Sequence, residues 1–432
     1  MSAQTETTTS GSGREYSAID ISSREFWDTT AEEREETFAR LRREDPVSWQ
    51  RPVENAVAPD PDDVGYWAVV THADITTVST ANDVFVSGQG VLFDALPPEF
   101  LEMTQSFMAM DNPRHNDLRK IVQKAFTPKQ IRRIDEQVEQ AAREVVDSFA
   151  GEPSGEIEFV DRCASRLPLR MFSAMFGVPE HLQEETASAA QEIVSWADPE
   201  HLAGRDPSQV QVEAAQKLHA IAAEIIAERR ENPTEDLFTG LIQAEVDGQS
   251  LTDAEIGAFF VLLSVAGNDT TKHTSTLTIK HFTENPDQRD WLAADLEERL
   301  GTAVEELIRY ATPVMTFRRT AVADTELGGR TIREGEKVVM FYPSGNRDSD
   351  VFDDPGAFDL ARNPNPHVGF GGGGTHFCLG NQLAKTMLRA LFRQIVTRVP
   401  DIHVTAEPEL LGTNFIRGVK RQQVAFTPEQ VR

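Results

Sequence analysis

Residues 370–380, with the sequence Phe-Gly-Gly-Gly-Gly-Thr-His-Phe-Cys-Leu-Gly, constrain the fold more than any other part of the chain. Four successive glycines and one cysteine, Cys378, stand directly before an apolar-patterned segment at residues 381–397. Successive glycines cost chain entropy on folding, which a simple packing site would not require. The first turn of a helix offers backbone N–H groups that stabilise a thiolate. The pattern therefore predicts a glycine loop that holds a cysteine sulfur at the start of a helix.

Cys378 has three possible interpretations. An isolated cysteine is usually a small buried hydrophobe, but the glycines argue against that. A zinc site through His376 and Cys378 is a second interpretation, and it is weak because Cys163, the only other cysteine, has no metal-ligand spacing near it. Heme iron takes a single thiolate as its axial ligand, and glycines let the chain pass close under a flat macrocycle. The segment favours heme iron ligated by Cys378.

Composition excludes several classes of function. The net charge of −28 over 432 residues disfavours non-specific binding to nucleic acid, because phosphate attraction requires the opposite sign. Residues 1–22, rich in Ser, Thr, Gly and Glu, predict a disordered N-terminal tail without the features of a signal peptide. No apolar run is long enough to span a bilayer. Two cysteines provide no disulfide framework, so we predict a cytoplasmic location.

Apolar periodicity predicts a mainly α protein with a small β lobe. Neither an internal repeat nor a linker divides the chain, so residues 23–432 are predicted to form a single domain. Short β-like runs occur at residues 66–71 and 337–342, and residues 348–366 read as loops. The clearest predicted helices are residues 32–43, 128–149, 207–230, 287–310 and 381–399.

An apolar helix that runs into a polar break is the second informative feature. A capping-box pattern at residues 252–255 precedes the run 256–267, which is too short to cross a membrane and predicts a buried helix. The chain continues as Ala266-Gly267-Asn268-Asp269-Thr270, and a buried acid is costly without partners. Two interpretations stay open: Gly267 ends one helix and a polar residue caps the next, or one helix widens locally.

Together these segments resemble the cytochrome P450 family of the soluble bacterial type, over about residues 26–426. The family's oxygen-side helix motif corresponds to Ala266-Gly267-Asn268-Asp269-Thr270, and its Glu-x-x-Arg motif to Glu306-Leu-Ile-Arg309. Residues 346–348 and 358–359 are similar to the loop segments that complete a charge network on that pair. The resemblance implies the P450 fold, with heme between the oxygen-side helix and the cysteine loop.

The same resemblance implies the cofactor and the site residues. Heme b is the only cofactor implied, with the Cys378 thiolate as the iron ligand, and no flavin or nicotinamide fingerprint occurs in the chain. Asp269 and Thr270 are assigned to proton delivery, and Arg318 is an alternative to its neighbour Arg319 as a propionate contact. Propionate contacts are implied for His115, Arg119, Arg319 and His376, and further cofactor contacts for Ala266, Gly267, Phe370, Gly371, Cys378 and Gly380.

One departure from the common family pattern points to a subgroup. Phe370 lies eight residues before Cys378, one more than usual, and Gly371 fills the usual position. This longer loop is similar to that of bacterial enzymes that hydroxylate methyl-branched lipids, fatty acids and sterols, and also occurs in relatives acting on terpenes and secondary metabolites. Asp269 replaces the glutamate frequent in the lipid group and keeps an acid in place.

The function implied is a monooxygenase that hydroxylates an apolar lipid, fatty acid, sterol or terpenoid with O2. Electrons would come from a ferredoxin reduced by an NAD(P)H-dependent ferredoxin reductase. Tailoring of a macrolide or other secondary metabolite is the alternative. A heme protein that binds a ligand without turnover is disfavoured, because ligand binding alone does not require the pair Asp269 and Thr270.

Two surfaces are predicted from the same comparison. The basic residues of 114–129, together with Lys385, Arg389 and Arg393, form either solvated helix faces or a docking patch for an acidic electron donor. An apolar substrate pocket is expected. Its predicted lining is residues 91–110, Phe260, Leu263, Ser264, residues 314–317 and residues 415–416, and ordinary core packing is the alternative for each apolar residue. Arg417 is predicted at the surface, with a substrate-carboxylate contact as the alternative.

Overall fold

Helices predominate in the computed structural model, which describes residues 13–430 apart from positions 55, 97, 105, 126, 127, 197 and 247. The prediction of a mainly α fold with a small β lobe is confirmed. Among the described residues, no helix combines the length and apolar character needed to cross a membrane. The helices are α1 (Arg24–Trp27), α2 (Ala31–Glu44), α3 (His72–Thr80), α4 (Pro98–Met103), α5 (Arg114–Ala125), α6 (Pro128–Asp147), α7 (Arg166–Phe176), α8 (Glu180–Val194), α9 (Pro199–Leu202), α10 (Pro207–Glu231), α11 (Leu237–Gln243), α12 (Asp253–Ala266), α13 (Asp269–Glu284), α14 (Pro286–Ala294), α15 (Leu296–Ala311), α16 (Tyr342–Gly345) and α17 (Asn381–Arg398). The strands are β1 (Val47–Gln50), β2 (Tyr66–Val69), β3 (Phe85–Val86), β4 (Glu156–Glu158), β5 (Glu245–Val246), β6 (Gln249–Ser250), β7 (Thr316–Ala321), β8 (Thr325–Leu327), β9 (Arg330–Ile332), β10 (Lys337–Phe341), β11 (His403–Val404), β12 (Glu409–Leu410), β13 (Val419–Arg421) and β14 (Gln423–Ala425).

The largest sheet has five strands in the order β1-β2-β10-β7-β3. The two predicted β-like runs correspond to β2 and β10, which pair with each other in parallel. The remaining pairs are antiparallel. Register in the β10–β7 pair places Val338 opposite Arg319, so the sheet fixes the position of a predicted propionate contact.

Four of the five predicted helices are confirmed to within two residues at either end, as α2, α6, α10 and α17. The fifth, residues 287–310, is wrong as a single helix, because the chain divides into α14 and α15 at Asp295, whose backbone is not helical (φ −152°, ψ 67°). The apolar residues Leu292, Leu296 and Leu300 keep a four-residue spacing through the break and pack in one cluster. The apolar spacing therefore continues across the break, although the helical hydrogen bonds between backbone groups do not.

The predicted tail of residues 1–22 extends too far along the chain. Residues 1–12 lie outside the described residues, but residues 13–22 pack against the sheet. Ile21 is fully buried, Ile19 is 9 % exposed, and the Ser17 N–H donates to the Trp49 carbonyl at 2.7 Å. Two apolar side chains in a polar stretch are enough where a sheet offers an apolar face. That residues 23–432 form one domain stays a prediction.

A buried ion pair on α15 organises the loops that precede the cysteine. Glu306 and Arg309 are both fully buried, and the guanidinium binds the carboxylate through two hydrogen bonds of 2.6 and 2.7 Å. The predicted contribution of the two loop segments is confirmed at the backbone. Arg309 donates to the Asn346 carbonyl, and the Asp359 N–H donates to Glu306. The Arg362 guanidinium also pairs with Glu306, and the Asn365 side-chain amide donates a hydrogen bond to it.

Candidate active site

The cysteine loop leads into α17 as predicted. The Cys378 N–H donates to the Phe370 carbonyl at 3.1 Å, and the Asn381 side chain donates to the Cys378 carbonyl at 2.7 Å. Burial raises the pKa of the Cys378 thiol, against an opposing hydrogen bond from the Gly380 N–H and the positive charge of Arg119. These two groups are what the chain itself provides to stabilise a negative sulfur.

Two glycines of this loop allow it to pack closely against α3, which the sequence did not reveal. A Cβ on Gly374, where φ is +73°, would lie 2.2 Å from the Ser79 carbonyl oxygen, and one on Gly372 would lie 2.6 Å from the Ser79 hydroxyl. Both glycines therefore permit close packing against the end of α3. Gly371 differs, because a Cβ there would meet nothing within 4 Å. Of these three positions, Gly371 alone leaves open space where a flat group could lie.

The ring of Phe370 is held from more than one side. Its centroid lies 6.3 Å from that of Phe377 in an edge-on arrangement and 5.7 Å from that of His367. The Lys385 ammonium lies 5.3 Å from the ring centroid, within cation–π range, and pairs with Glu305 at 2.7 Å. Phe370, a predicted cofactor contact, is therefore held by Lys385 of α17 and by the rings of His367 and Phe377.

Four basic side chains from three parts of the chain converge beside the loop. His115 and Arg119 come from α5, Arg319 from β7, and His376 from the loop itself. The imidazole centroids of His115 and His376 are 4.3 Å apart, and Arg119 Nη2 donates to the Phe377 carbonyl at 2.8 Å. Burial lowers the pKa of His376 to about 3, assisted by the charges of Arg319, His115 and Arg119. The structure thus brings all four predicted propionate contacts together.

Salt bridges among the described residues do not neutralise this basic cluster, and Asp111 acts on His115 and Arg319 only at longer range. No described residue forms a salt bridge with any of the four side chains, and the buried atoms His115 Nε2 and Arg319 Nε lack hydrogen-bond partners. Unpaired buried donors and cations are costly, whereas carboxylates bonded to Arg or His are strongly held. The cluster therefore fits a group that carries carboxylates, as heme does. Arg318, the alternative, also has an unpaired buried Nε, and its Nη2 donates to the Gln89 carbonyl, so unpaired nitrogens do not separate it from Arg319.

One helix continues through the polar break between α12 and α13. The Asn268 N–H donates to the Val265 carbonyl there, so the regular four-residue ladder is interrupted, and this stretch is called the widened helix below. Gly267 and Asn268 keep right-handed helical backbone, with φ of −78° and −93°. Side chains satisfy carbonyls at the break, because Asn268 Nδ2 donates to the Ser264 carbonyl at 2.7 Å and Thr270 Oγ1 to the Ala266 carbonyl at 2.9 Å. The structure favours the second of the two interpretations left open by the sequence.

Asp269 has the partners that a buried acid requires, and sequence reasoning missed them. Its carboxylate pairs with the Lys272 ammonium, which also donates to Gln191 Oε1 on α8 at 2.7 Å. His273 Nε2 lies 3.7 Å from the same carboxylate, and burial holds the pKa of His273 well below its usual value. The pair of Asp269 and Lys272 could have been predicted from their spacing of three residues, since such residues share a helix face. Gln191 left no such signal.

An apolar cluster occupies the region predicted for the substrate. Val314 and Phe317, beside and on β7, pack with Phe415 and Ile416 of the C-terminal segment. That these residues line a substrate pocket stays a prediction. Val265 packs against this cluster, and it directly precedes the widened part of the helix. The cluster therefore lies between the oxygen-side helix and the strand that carries Arg319. Leu92 and Trp196 also belong to it, and the predicted lining omitted Trp196.

Phe260, predicted for the pocket, and Arg417, predicted mainly for the surface, are both engaged in other contacts. Phe260 packs among Phe172, Phe176 and Phe238, with ring centroids 5.3 to 5.6 Å away, and contributes to the core. Arg417 donates to the Tyr310 and Ala311 carbonyls at 3.2 and 3.3 Å, and so satisfies the C-terminal end of α15. A substrate carboxylate is therefore not needed to explain Arg417.

The predicted basic docking patch is largely neutralised. Arg114 pairs with Glu255 and Lys385 with Glu305, while Arg393 pairs with both Glu139 and Glu297. The side chains of Lys124 and Lys129 lie outside the described residues. Lys120 remains exposed on α5, and Arg389 donates to the Thr386 hydroxyl. Any acidic donor would meet a smaller positive surface than the sequence implied.

The chain is similar in sequence and in structure to known proteins of one family. The cytochrome P450 family model matches residues 68–399. The chain is 39 % identical over 412 residues to a methyl-branched lipid omega-hydroxylase of Mycobacterium tuberculosis, covering 95 % of each protein. It is 38 % identical to a steroid C26-monooxygenase of Mycolicibacterium smegmatis, covering 91 % of this chain and 90 % of that one. A Mycobacterium marinum cytochrome P450 solved with pseudoionone superposes with a TM-score of 0.92 at 53 % identity, covering 96 % and 99 % of the two chains.

Proposed function

Since the chain belongs to the cytochrome P450 family, we propose that it hydroxylates an apolar lipid, fatty acid, sterol or terpenoid with electrons from a ferredoxin. The enzyme is a P450 monooxygenase, and its cofactor is heme ligated by a cysteine thiolate. The substrate class is supported by the names of its relatives, which act on methyl-branched lipids and steroids. It is also supported by the apolar cluster of Phe317, Phe415 and Ile416 beside the widened helix.

The observation that carries the site assignment is the basic cluster next to Cys378, which forms no salt bridge among the described residues. Four basic groups, two of them with unpaired buried nitrogens, lie beside a loop that presents one thiol. In this assignment His115, Arg119, Arg319 and His376 hold the propionates and Cys378 ligates the iron. Bound heme supplies the activation of dioxygen and the insertion of one oxygen atom into a C–H bond.

The chain's own groups set the conditions for that chemistry. The Gly380 N–H and Arg119 stabilise the negative sulfur of Cys378. Thr270 Oγ1 uses its proton toward the Ala266 carbonyl, so its lone pairs remain available to accept a hydrogen bond. The Asp269 carboxylate is held at the break by Lys272 and can exchange protons there. The apolar cluster excludes water from the substrate.

Electron delivery and location complete the proposal. A separate ferredoxin and its NAD(P)H-dependent reductase are proposed because the chain carries no flavin or nicotinamide fingerprint. Exposed Lys120 and the exposed ring of Phe377, next to Cys378, offer a mixed contact surface for the ferredoxin. Both cysteines are free thiols, as suits a reducing cytoplasm.

The absorption spectrum of the ferrous protein under carbon monoxide tests the proposal. A strongly red-shifted Soret band is expected from thiolate ligation. Titration of the ferric protein with branched fatty acids, sterols and terpenes should then give a low-to-high-spin shift for the ligand class that displaces water. A protein without bound heme, or with a band typical of histidine ligation, would contradict the proposal.

Replacing Thr270 with alanine should uncouple electron consumption from hydroxylation. The variant removes a hydroxyl positioned at the break, and proton transfer by a positioned side chain typically contributes at least 100-fold, so we expect product per NAD(P)H to fall roughly tenfold or more. NAD(P)H oxidation, hydrogen peroxide and product would be measured together. Thr278→Ala is the matched control, because Thr278 makes the same type of bond, to the Thr274 carbonyl at 2.8 Å, about 12 Å further along the helix. Equal coupling in both variants would remove Thr270 from proton delivery.

A further inference from the structure

A buried carboxylate stands at the edge of the apolar cluster, where the proposed function requires only apolar contact. Asp94, between β3 and α4, is 6 % exposed. Its oxygens accept hydrogen bonds from Trp196 Nε1 at 3.0 Å and from Asn414 Nδ2 at 3.3 and 3.4 Å. No salt bridge to Asp94 is formed by any residue that the structure describes. Burial raises the pKa of Asp94 to about 6, which reflects the cost of an unpaired charge here.

This polar group is continuous with the proposed substrate region. The Trp196 indole that binds Asp94 stacks on Phe415 with ring centroids 5.8 Å apart. Phe415 in turn contacts Phe317 edge-on at 5.7 Å, and Asn414 directly precedes Phe415. The apolar cluster therefore borders a polar group, and Val265 beside the widened helix also packs against it.

The polar end has an excess of hydrogen-bond acceptors. A carboxylate offers about four lone-pair sites, and the contacts from Asn414 are long. Asn414 Oδ1 is also buried and has no hydrogen-bond partner. A purely structural link between Trp196 and Asn414 would not need a charge, because one amide oxygen accepts from neutral N–H groups as well. The arrangement therefore leaves acceptor sites unfilled by the described residues, which suits a donor from outside the chain and opposes a second anion.

We propose that Asp94 and Asn414 bind the hydroxyl group of an apolar alcohol, so that the enzyme selects hydroxyl-bearing terpenoids or sterols over free fatty acids. The inference rests on the proposed function and narrows its substrate class. The alcohol O–H donates to the Asp94 carboxylate or to Asn414 Oδ1, and the hydrocarbon lies along Trp196, Phe415 and Phe317 toward the widened helix. A fatty-acid carboxylate at the same position would face the Asp94 charge without a cation.

Binding to the purified heme-loaded protein tests this, read by the spin shift and by calorimetry. The probes are farnesol, its methyl ether and farnesoic acid, which share one hydrocarbon skeleton, with cholesterol and its methyl ether as a sterol pair. A hydrogen bond to a charged group corresponds to a preference of about tenfold or more, so farnesol or cholesterol should bind at least that much more tightly than its ether. Farnesoic acid should bind more weakly than farnesol. The pair that shows the preference identifies the terpenoid or the sterol class.

Asp94→Asn should reduce the preference for the alcohol about tenfold and improve the binding of farnesoic acid. Trp196→Phe, which keeps the stacked ring but removes the donor that orients Asp94, should weaken the preference in the same direction. Asp290→Asn, at an exposed carboxylate on α14, is the control and should change nothing. The carbon monoxide spectrum is recorded for every variant and reports heme-thiolate ligation independently of Asp94. Three results, each with a normal spectrum, would overturn this inference and leave the monooxygenase assignment standing. They are equal binding of alcohol and ether, no binding of any probe, and an unchanged preference in Asp94→Asn.

Discussion

Replacing Cys378 with serine should abolish the red-shifted carbon monoxide band and the hydroxylation of substrate. A serine hydroxyl cannot supply the thiolate whose electron donation favours O–O cleavage. The rest of the site does not depend on the sulfur. The basic cluster is held by α5, β7 and the loop backbone, including the bond from Arg119 to the Phe377 carbonyl. We therefore expect Cys378→Ser to retain heme in reduced amount, with the spectrum of a non-thiolate protein.

The second cysteine provides the matched control for this experiment. Cys163 is fully buried in the largest apolar cluster, and burial strongly raises its pKa, as for an inert packing thiol. Cys163→Ala should lower the free energy of unfolding by about 1 kcal/mol or slightly more, as for the loss of a small buried group, and leave the spectrum unchanged. Retention of the red-shifted band in Cys378→Ser, or its loss in Cys163→Ala, would reverse the assignment of the ligand.

The parts of the fold that sequence predicts well are those where one periodic pattern decides the structure. The helices α2, α6, α10 and α17 follow their apolar periodicity almost to the residue. Periodicity fails at Asp295, because the apolar spacing continues unchanged from one helix into the next. It also fails at Ile21, because a few apolar residues there pack against a sheet formed by distant parts of the sequence. In both places the deciding contact is tertiary, and local propensity carries little information about it.

The candidate site divides along the same line. Cys378, Asp269 and Thr270 lie in local motifs, and α5 carries His115 and Arg119 at a helical spacing that one segment reveals. The elements that complete the site join distant segments. Lys272 shares a turn with Asp269 and could have been found, whereas Gln191 lies 81 residues from Lys272. Asp94, Trp196 and Asn414 come from three separate segments, and Trp196 and Asn414 bond to Asp94 across 102 and 320 residues. The basic patch was overestimated for the same reason, because the acidic residues that neutralise it lie far away in sequence.

The ion pair between Glu306 and Arg309 is the site where one substitution should cost most stability. All five N–H groups of Arg309 have acceptors: two bonds go to Glu306, and single bonds go to the Asn346, Pro355 and Ala357 carbonyls. Arg309→Met removes all five and leaves the fully buried Glu306 with only partial compensation from Arg362. Breaking a buried pair in this way costs about 3–5 kcal/mol, a large part of the roughly 5–15 kcal/mol that stabilises a typical domain.

We therefore expect Arg309→Met to fold poorly and to incorporate little heme, as measured by denaturant unfolding and by the heme-to-protein ratio. Arg309→Lys should be nearly as damaging, because an ammonium cannot reproduce the planar fork. Arg40→Met makes the same change in an exposed pair with Glu44 at 3.0 Å, and should cost no more than about 0.5 kcal/mol. Combining Arg309→Met with Glu306→Leu should cost less than the sum of the single variants, because the second change removes the charge that the first leaves unpaired. Equal stability of Arg309→Met and Arg40→Met would mean that the loops before Cys378 are held by apolar packing and not by this pair.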